Sequence, residues 1–257
     1  MADVANILVP GKREASILLV ANGRTAAALP KPIRDRPTLM MVENGVDLEL
    51  FKVPEDEYVR PEASFTFVGR LVDWKRVDLL LQAVSMLPKH VTLNIIGDGP
   101  MRSVWEAHSR HLGLTDRVRF EGQASQDECA IALTHTTALV LPSIYECGGA
   151  VVLEAMAAGV PVIATNWGGP ADYIIQGETG FLIEPDSAQE YSTRLADAMS
   201  QILSNPDLAR KMGIAGRERA AKYFDWTTKI QNITVIYSSA IDQYRHKLST
   251  SRRGRRP

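Results

Sequence analysis

The segment ALVLPSIYECGGAVVLEAMAAGVPVIAT, residues 138–165, decides the fold. It opens with a wholly apolar run, Ala138 to Leu141, and passes through a loop carrying Gly148-Gly149. An apolar helix follows to about Ala158, and a second apolar run, Val160 to Ala164, closes it. Strands that are apolar on both faces belong to parallel sheets covered by helices on each side. Two of them joined by a helix make one crossover unit, the repeat from which open α/β sheets are built.

The same alternation extends in both directions. Phe65 to Val68, Val91 to Ile96 and Val118 to Glu121 read as strands upstream, and Gly180 to Ile183 downstream. Between them Val77, Leu80, Leu81, Val84 and Leu87 recur at helical spacing, as do Met101, Val104, Trp105, His108 and Leu112. Tyr191, Leu195, Ala198, Met199 and Ile202 form a third stripe, and Ser125 with Glu128 reads as a capping box. Beyond Asn205-Pro206 the pattern stays helical to about His246. The expected fold is therefore a doubly wound, Rossmann-like parallel α/β sheet of about six strands with a long C-terminal helix. The opening of the chain differs. It offers one strand (Ser16 to Ala21), one helix (Arg24 to Leu29), a linker marked by Pro30, Pro32 and Pro37, and a strand from Leu39 to Val42. That is too little to bury a core of its own.

Lysine and arginine number 29 against 30 acidic residues, a formal net charge of −1, so no global field favours nucleic acid, and none is expected as a partner. Two cysteines, Cys129 and Cys147, are too few for a disulfide framework and point to the cytoplasm. No apolar run approaches the roughly 20 residues that span a bilayer. The basic ending, SRRGRRP, could at most touch acidic lipid at the cytoplasmic membrane face.

In an open parallel sheet, ligands bind beyond the carboxyl ends of the strands. The loops there hold Gly69-Arg70-Leu71-Val72-Asp73-Trp74-Lys75, Gly97-Asp98-Gly99-Pro100 and Pro142 to Gly149. Gly148-Gly149-Ala150 leads straight into a helix, whose free N–H groups and positive end suit an anion. With Arg70 and Lys75 the combination suits a diphosphate and needs no metal. Alone, the two glycines could be a tight turn and the two cations a solvated pair. Glu146 and Glu154 can both face one ligand, and a carboxylate accepts two hydroxyls at once, the usual grip on a ribose or sugar ring.

These motifs together resemble the donor-binding domain of GT-B glycosyltransferases of family GT4, from Val42 to about Thr228. The resemblance is carried by Asn44-Gly45-Val46-Asp47, Gly69-Arg70-Leu71 with Lys75, Gly97-Asp98-Gly99-Pro100, the pair Glu146 and Glu154, the run Glu154 to Thr165, and Gly168-Gly169-Pro170 before Gly177 and Gly180-Phe181-Leu182. It implies a retaining, metal-independent, hexosyltransferase-like enzyme that moves a sugar from a nucleoside diphosphate (UDP or GDP) to an acceptor, which is a saccharide, a lipid or a small molecule. No cofactor is implied beyond that donor, and the sequence has no Asp-x-Asp triplet.

By the same resemblance, Arg70 and Lys75 hold the diphosphate and stabilise the leaving nucleotide, Glu146 contacts the transferred sugar, and Glu154 binds the ribose. Gly148, Gly149, Ala150 and Val151 meet sugar hydroxyls and phosphate through their backbone. Gln123 lines the base pocket, and Gly69, Gly97 and Asp98 complete the donor-binding set. One departure concerns sugar contacts, since Cys147-Gly148 follows Glu146 where the family has Gly-Phe.

The expected organisation is residues 1–41 as a remnant of an N-terminal acceptor domain with its linker, 42–225 as the donor-binding domain, 226–247 as a crossover helix and 248–257 as a disordered basic tail. The chain is thus expected to be N-terminally truncated, with the apolar stripe Ile230, Ile233, Ile236, Tyr237 and Ile241 open to self-association or to a partner chain. Two alternatives are a non-catalytic nucleotide-sugar-binding module and one chain of a split enzyme. A dinucleotide-dependent oxidoreductase is disfavoured, because no Gly-x-Gly-x-x-Gly follows the first strand of the main domain.

Overall fold

The computed structural model describes residues 11, 15–34, 36–52 and 63–253. The described residues fall into two compact units, one within residues 46–225 and the other drawn from those before 46 and after 225.

The first unit is built on a six-stranded, all-parallel sheet. In chain order it contains β3 (Ser64–Val68), α3 (Val77–Ser85), β4 (Thr92–Ile96), α4 (Arg102–His111), β5 (Val118–Gly122), α5 (Gln126–Thr134) and β6 (Ala138–Leu141). It continues with α6 (Ala150–Ala157), β7 (Val162–Thr165), α7 (Gly168–Tyr173), β8 (Gly180–Ile183), α8 (Ala188–Ser204) and α9 (Pro206–Tyr223). The spatial order is β5-β4-β3-β6-β7-β8, and β3 meets β6 through the pairs Phe65↔Ala138 and Thr66↔Leu139. This is the doubly wound sheet expected, with every anticipated strand present. β6 and β7 are buried along their whole length, which explains their uninterrupted apolar sequence.

Local chemistry sets the boundaries. The Ser125 hydroxyl accepts from the Glu128 N–H while the Glu128 carboxylate accepts from the Ser125 N–H, so the capping box forms. β7 starts at Val162 rather than Val160, because the Val160 N–H donates to the Ala155 carbonyl and closes α6. Gly168–Tyr173, which the sequence reading left unassigned, is a short helix. The apolar stripe of α3, Val77, Leu80, Leu81 and Val84, is fully buried, and the Ser192 hydroxyl of α8 donates to the Gln82 side-chain oxygen at 3.1 Å.

The second unit contains β1 (Leu18–Val20), α1 (Gly23–Ala27), α2 (Lys31–Arg34), β2 (Thr38–Met40) and α10 (Trp226–Arg253). β1 and β2 pair in parallel, and Asn22 caps α1 by accepting from the Thr25 N–H at 2.9 Å. A helical turn occupies part of the stretch that Pro30 and Pro32 marked as linker; proline is compatible with a helix's first turn. Two departures concern the C-terminus. The long helical pattern breaks at Phe224-Asp225, where Val46 and Asp225 form a β-bridge. α10 then runs to Arg253, past the expected boundary at 247 and into residues expected to be a disordered tail, and no glycine or proline interrupts it before Gly254. Residues 254–257 lie outside the described residues. Among the described residues no helix is long and apolar enough to cross a membrane.

Candidate functional site

The strand order reverses between β3 and β6. The chain steps outward from β3 to β4 and β5, returns to β6, and steps outward the other way to β7 and β8. Loops leaving the two central strands diverge at such a point and open a crevice at the carboxyl edge of the sheet.

The first wall comes from the loops after β3, β4 and β5. The Gly69 N–H donates to the Ile96 carbonyl at 3.0 Å and the Leu71 N–H to the Asp98 carbonyl at 2.9 Å, which ties two loops together. Their backbones come so close that a β-carbon at Gly97, where φ is +134°, would lie 2.0 Å from the Gly69 carbonyl oxygen. Only glycine fits. Gly69, Arg70, Gly97, Asp98 and Gln123 line one cavity of about 590 Å³, with Cys129 of α5 also in its wall. Arg70 is exposed and makes no ion pair among the described residues. Asp98 also has work within its own loop, accepting from the Gly99 N–H at 2.7 Å and facing an Arg102 guanidinium nitrogen at 3.8 Å.

The second wall comes from the loop after β6. The Ile144 N–H donates to the Trp74 carbonyl at 2.9 Å, drawing this loop against the one after β3. The Lys75 ammonium then forms an ion pair with the Glu146 carboxylate, their side chains only 14% and 13% exposed. Behind it, the Gly169 N–H donates to the Glu146 carbonyl at 3.0 Å. Gly149 enters α6 in the left-handed conformation, and the N–H groups of Gly148, Gly149, Ala150 and Val151 find no acceptor among the described residues. Four unsatisfied donors at a helix start are an anion site in waiting.

Glu154 lies on α6, beyond these donors. Burial pushes its carboxyl above the usual carboxylate range. Burial likewise raises the Cys129 thiol, and the Glu154 charge raises it further, so Glu154 lies within electrostatic reach of the cavity lined by Arg70 and Gln123. An ionised carboxylate held in such surroundings gains from hydroxyl donors.

The sequence-predicted residues thus occur on adjoining loops and one helix at a single sheet edge. Two features escaped the sequence reading. One is the direct pairing of Lys75 with Glu146, which lie far apart in sequence. The other is the role of Gly168-Gly169, whose signal was the glycine pair itself. A β-carbon at Gly168 would lie 1.9 Å from the Glu146 carbonyl oxygen, and one at Gly169 would lie 2.0 Å from that of Gly148. Among the described residues no group of three or more His, Cys, Asp and Glu side chains could hold a metal ion.

Residues 56–219 match the family described as Glycosyl transferases group 1. The chain is 29% identical over 241 residues to the alpha-maltose-1-phosphate synthase of Mycolicibacterium smegmatis, a match covering 86% of this chain and 62% of that protein. Among solved structures it is similar to sucrose-phosphate synthase from Thermosynechococcus elongatus, with a TM-score of 0.78, 29% identity, and coverage of 94% of this chain and 63% of the other. It is also similar to HepE of Anabaena in complex with UDP-glucose, with a TM-score of 0.75, 26% identity, and coverage of 92% and 67%. The chain spans about half to three fifths of the length of the first curated relatives it matches.

Proposed function

The chain belongs to the group 1 glycosyltransferases, and on that premise we propose that residues 46–225 bind a nucleoside-diphosphate sugar and release its sugar for transfer, with retention of configuration and without a bound metal. The observation that carries this reading is the convergence, at the β3/β6 reversal, of the Lys75–Glu146 pair with four free N–H groups at the start of α6.

Cleavage of the bond between the anomeric carbon and the diphosphate oxygen leaves negative charge on phosphate and positive character on the carbon. Lys75, held on Glu146, and the α6 donors are fixed before the reaction, so they stabilise the departing diphosphate without reorganising, and the exposed Arg70 adds a further positive charge. Glu146, already oriented by Lys75 and by the Gly169 N–H on its carbonyl, accepts hydroxyls of the transferred sugar. Glu154 accepts the ribose hydroxyls, and Gln123 borders the base. The UDP-glucose complex of the Anabaena relative supports a uridine nucleotide as the first choice of donor. Both described cysteines, Cys129 and Cys147, are free, which supports action in the cytoplasm.

The test is calorimetric titration with UDP, GDP and ADP, followed by turnover assays with the matching sugar nucleotide and candidate saccharide, lipid and small-molecule acceptors. One nucleotide is expected to bind preferentially, the product anomer seen by NMR to match the donor's, and EDTA to leave the rate unchanged. An inverted anomer or a rate abolished by EDTA would contradict the mechanism. Nucleotide binding with no turnover on any acceptor would favour the alternative of a binding module.

A further inference from the structure

On the other side of the loop that carries Lys75 lies a second cavity of about 680 Å³, between the starts of α3 and α4 and the loop after β6. It includes neither Arg70 nor Glu146 nor any other residue assigned above to the donor. Its wall carries two exposed aromatic rings, Trp74 and Tyr145, 44% and 61% accessible. Tyr145 is steadied edge-on against Trp167, with ring centroids 5.4 Å apart.

Planar polar groups surround these rings and are held in place. The Arg76 guanidinium donates to the Asp78 carboxylate at 2.8 to 3.2 Å, and Asp73 accepts from the Trp74 N–H at 2.9 Å. Gln82 offers its amide hydrogens while its oxygen is engaged by Ser192. Arg76 is the sole non-glycine residue with positive φ among the described residues, at +48°, a costly backbone state for an arginine.

This combination selects a class of ligand. A pyranose has an apolar C–H face, which suits an exposed ring, and a rim of hydroxyls, which suits fixed carboxylates and amides. Among the formally charged side chains of the lining Asp73 and Asp78 outnumber Arg76, and the His108 imidazole adds a further hydrogen-bonding group, so the cavity suits a neutral polar ligand better than a phosphate. The volume falls in the range of small-molecule sites.

We propose that this cavity is a binding site for a neutral saccharide, separate from the donor cleft. The ligand class is read from the lining alone, so it is independent of the donor reading. The test is saturation-transfer NMR with maltotriose and cellotriose, with and without UDP, while UDP affinity is measured on the same samples. At least one trisaccharide is expected to bind with a dissociation constant on the order of millimolar. Trp74→Ala, which removes one ring, should weaken it by roughly tenfold or more. Val104→Arg, at an exposed position on the α4 wall, should do the same by filling the cavity while leaving UDP affinity unchanged. Absence of binding by both trisaccharides, or undiminished binding in both variants, would overturn the proposal. Absence of UDP binding alone would count against the donor site and leave this one standing.

Discussion

In the turn between β7 and α7, Gly168 packs so tightly that a β-carbon would stand 1.9 Å from the Glu146 carbonyl oxygen. In α10, by contrast, Ile230 is 59% exposed and Val235 68%. The turn brings Asn166 and Trp167 up to a pair of glycines, and the helix carries a stripe of isoleucines, valine and tyrosines. Packing density at the sheet edge comes from backbone against backbone, which demands the smallest residue. An apolar stripe states only which face would gain from cover. The difference teaches that rigidity at the crevice is supplied by glycines, and that counting apolar side chains misjudges where this molecule is tight.

Substitutions can break that comparison, starting with the glycines. Gly168→Ala forces a side chain into the left-handed region and into a carbonyl, and should destabilise the first unit by about 3 kcal/mol or more. Chemical denaturation checks this, and a loss under about 1 kcal/mol would show that the turn can relax. Lys75→Ala comes next. It strands the Glu146 carboxylate and should cost about 1–3 kcal/mol of stability, the lower end reflecting residual exposure. Turnover should also fall by roughly a hundredfold or more.

Glu154→Gln should act with the opposite sign on stability. Its carboxyl is raised by burial, so the folded state favours the protonated form. That favourable contribution is present at low pH and is lost as pH rises through the raised value. Glutamine removes the dependence. The variant should therefore melt higher than the parent at pH 8, gain little near pH 4, and bind nucleotide more weakly at both. An equal or lower melting temperature at pH 8 would contradict the burial argument. Tyr237→Ser and Ile241→Ser in α10 should be the mildest, within about ±0.5 kcal/mol. A large loss there would mean that the stripe is covered in solution.

How much of this was legible in the sequence depends on the kind of signal. The six strands were readable because β6 and β7 are apolar at every position and the helices between strands repeat at helical spacing. The edges were blurred where one residue serves two elements, as Val160 does in closing α6 just ahead of β7. At the crevice, residue types and their placement in loops after strands were legible from Arg70, Lys75, Glu146 and Gly148-Gly149. The Lys75–Glu146 pair was not, because it depends on β3 and β6 becoming neighbours, a consequence of topology that no local pattern carries. The Gly168-Gly169 buttress was hidden for the same reason. The end of α10 is not legible in the sequence, because the basic composition of its last residues suits a solvated tail, while lysine and arginine are also good helix formers.

The most direct test of the central claim is calorimetric titration of UDP and GDP into the parent chain and into the Arg70→Ala/Lys75→Ala variant. If cations and helix donors at the β3/β6 reversal hold a diphosphate, one nucleotide binds the parent chain and its heat vanishes in the variant, while circular dichroism shows the fold intact. Equal affinity in the two proteins would contradict that claim.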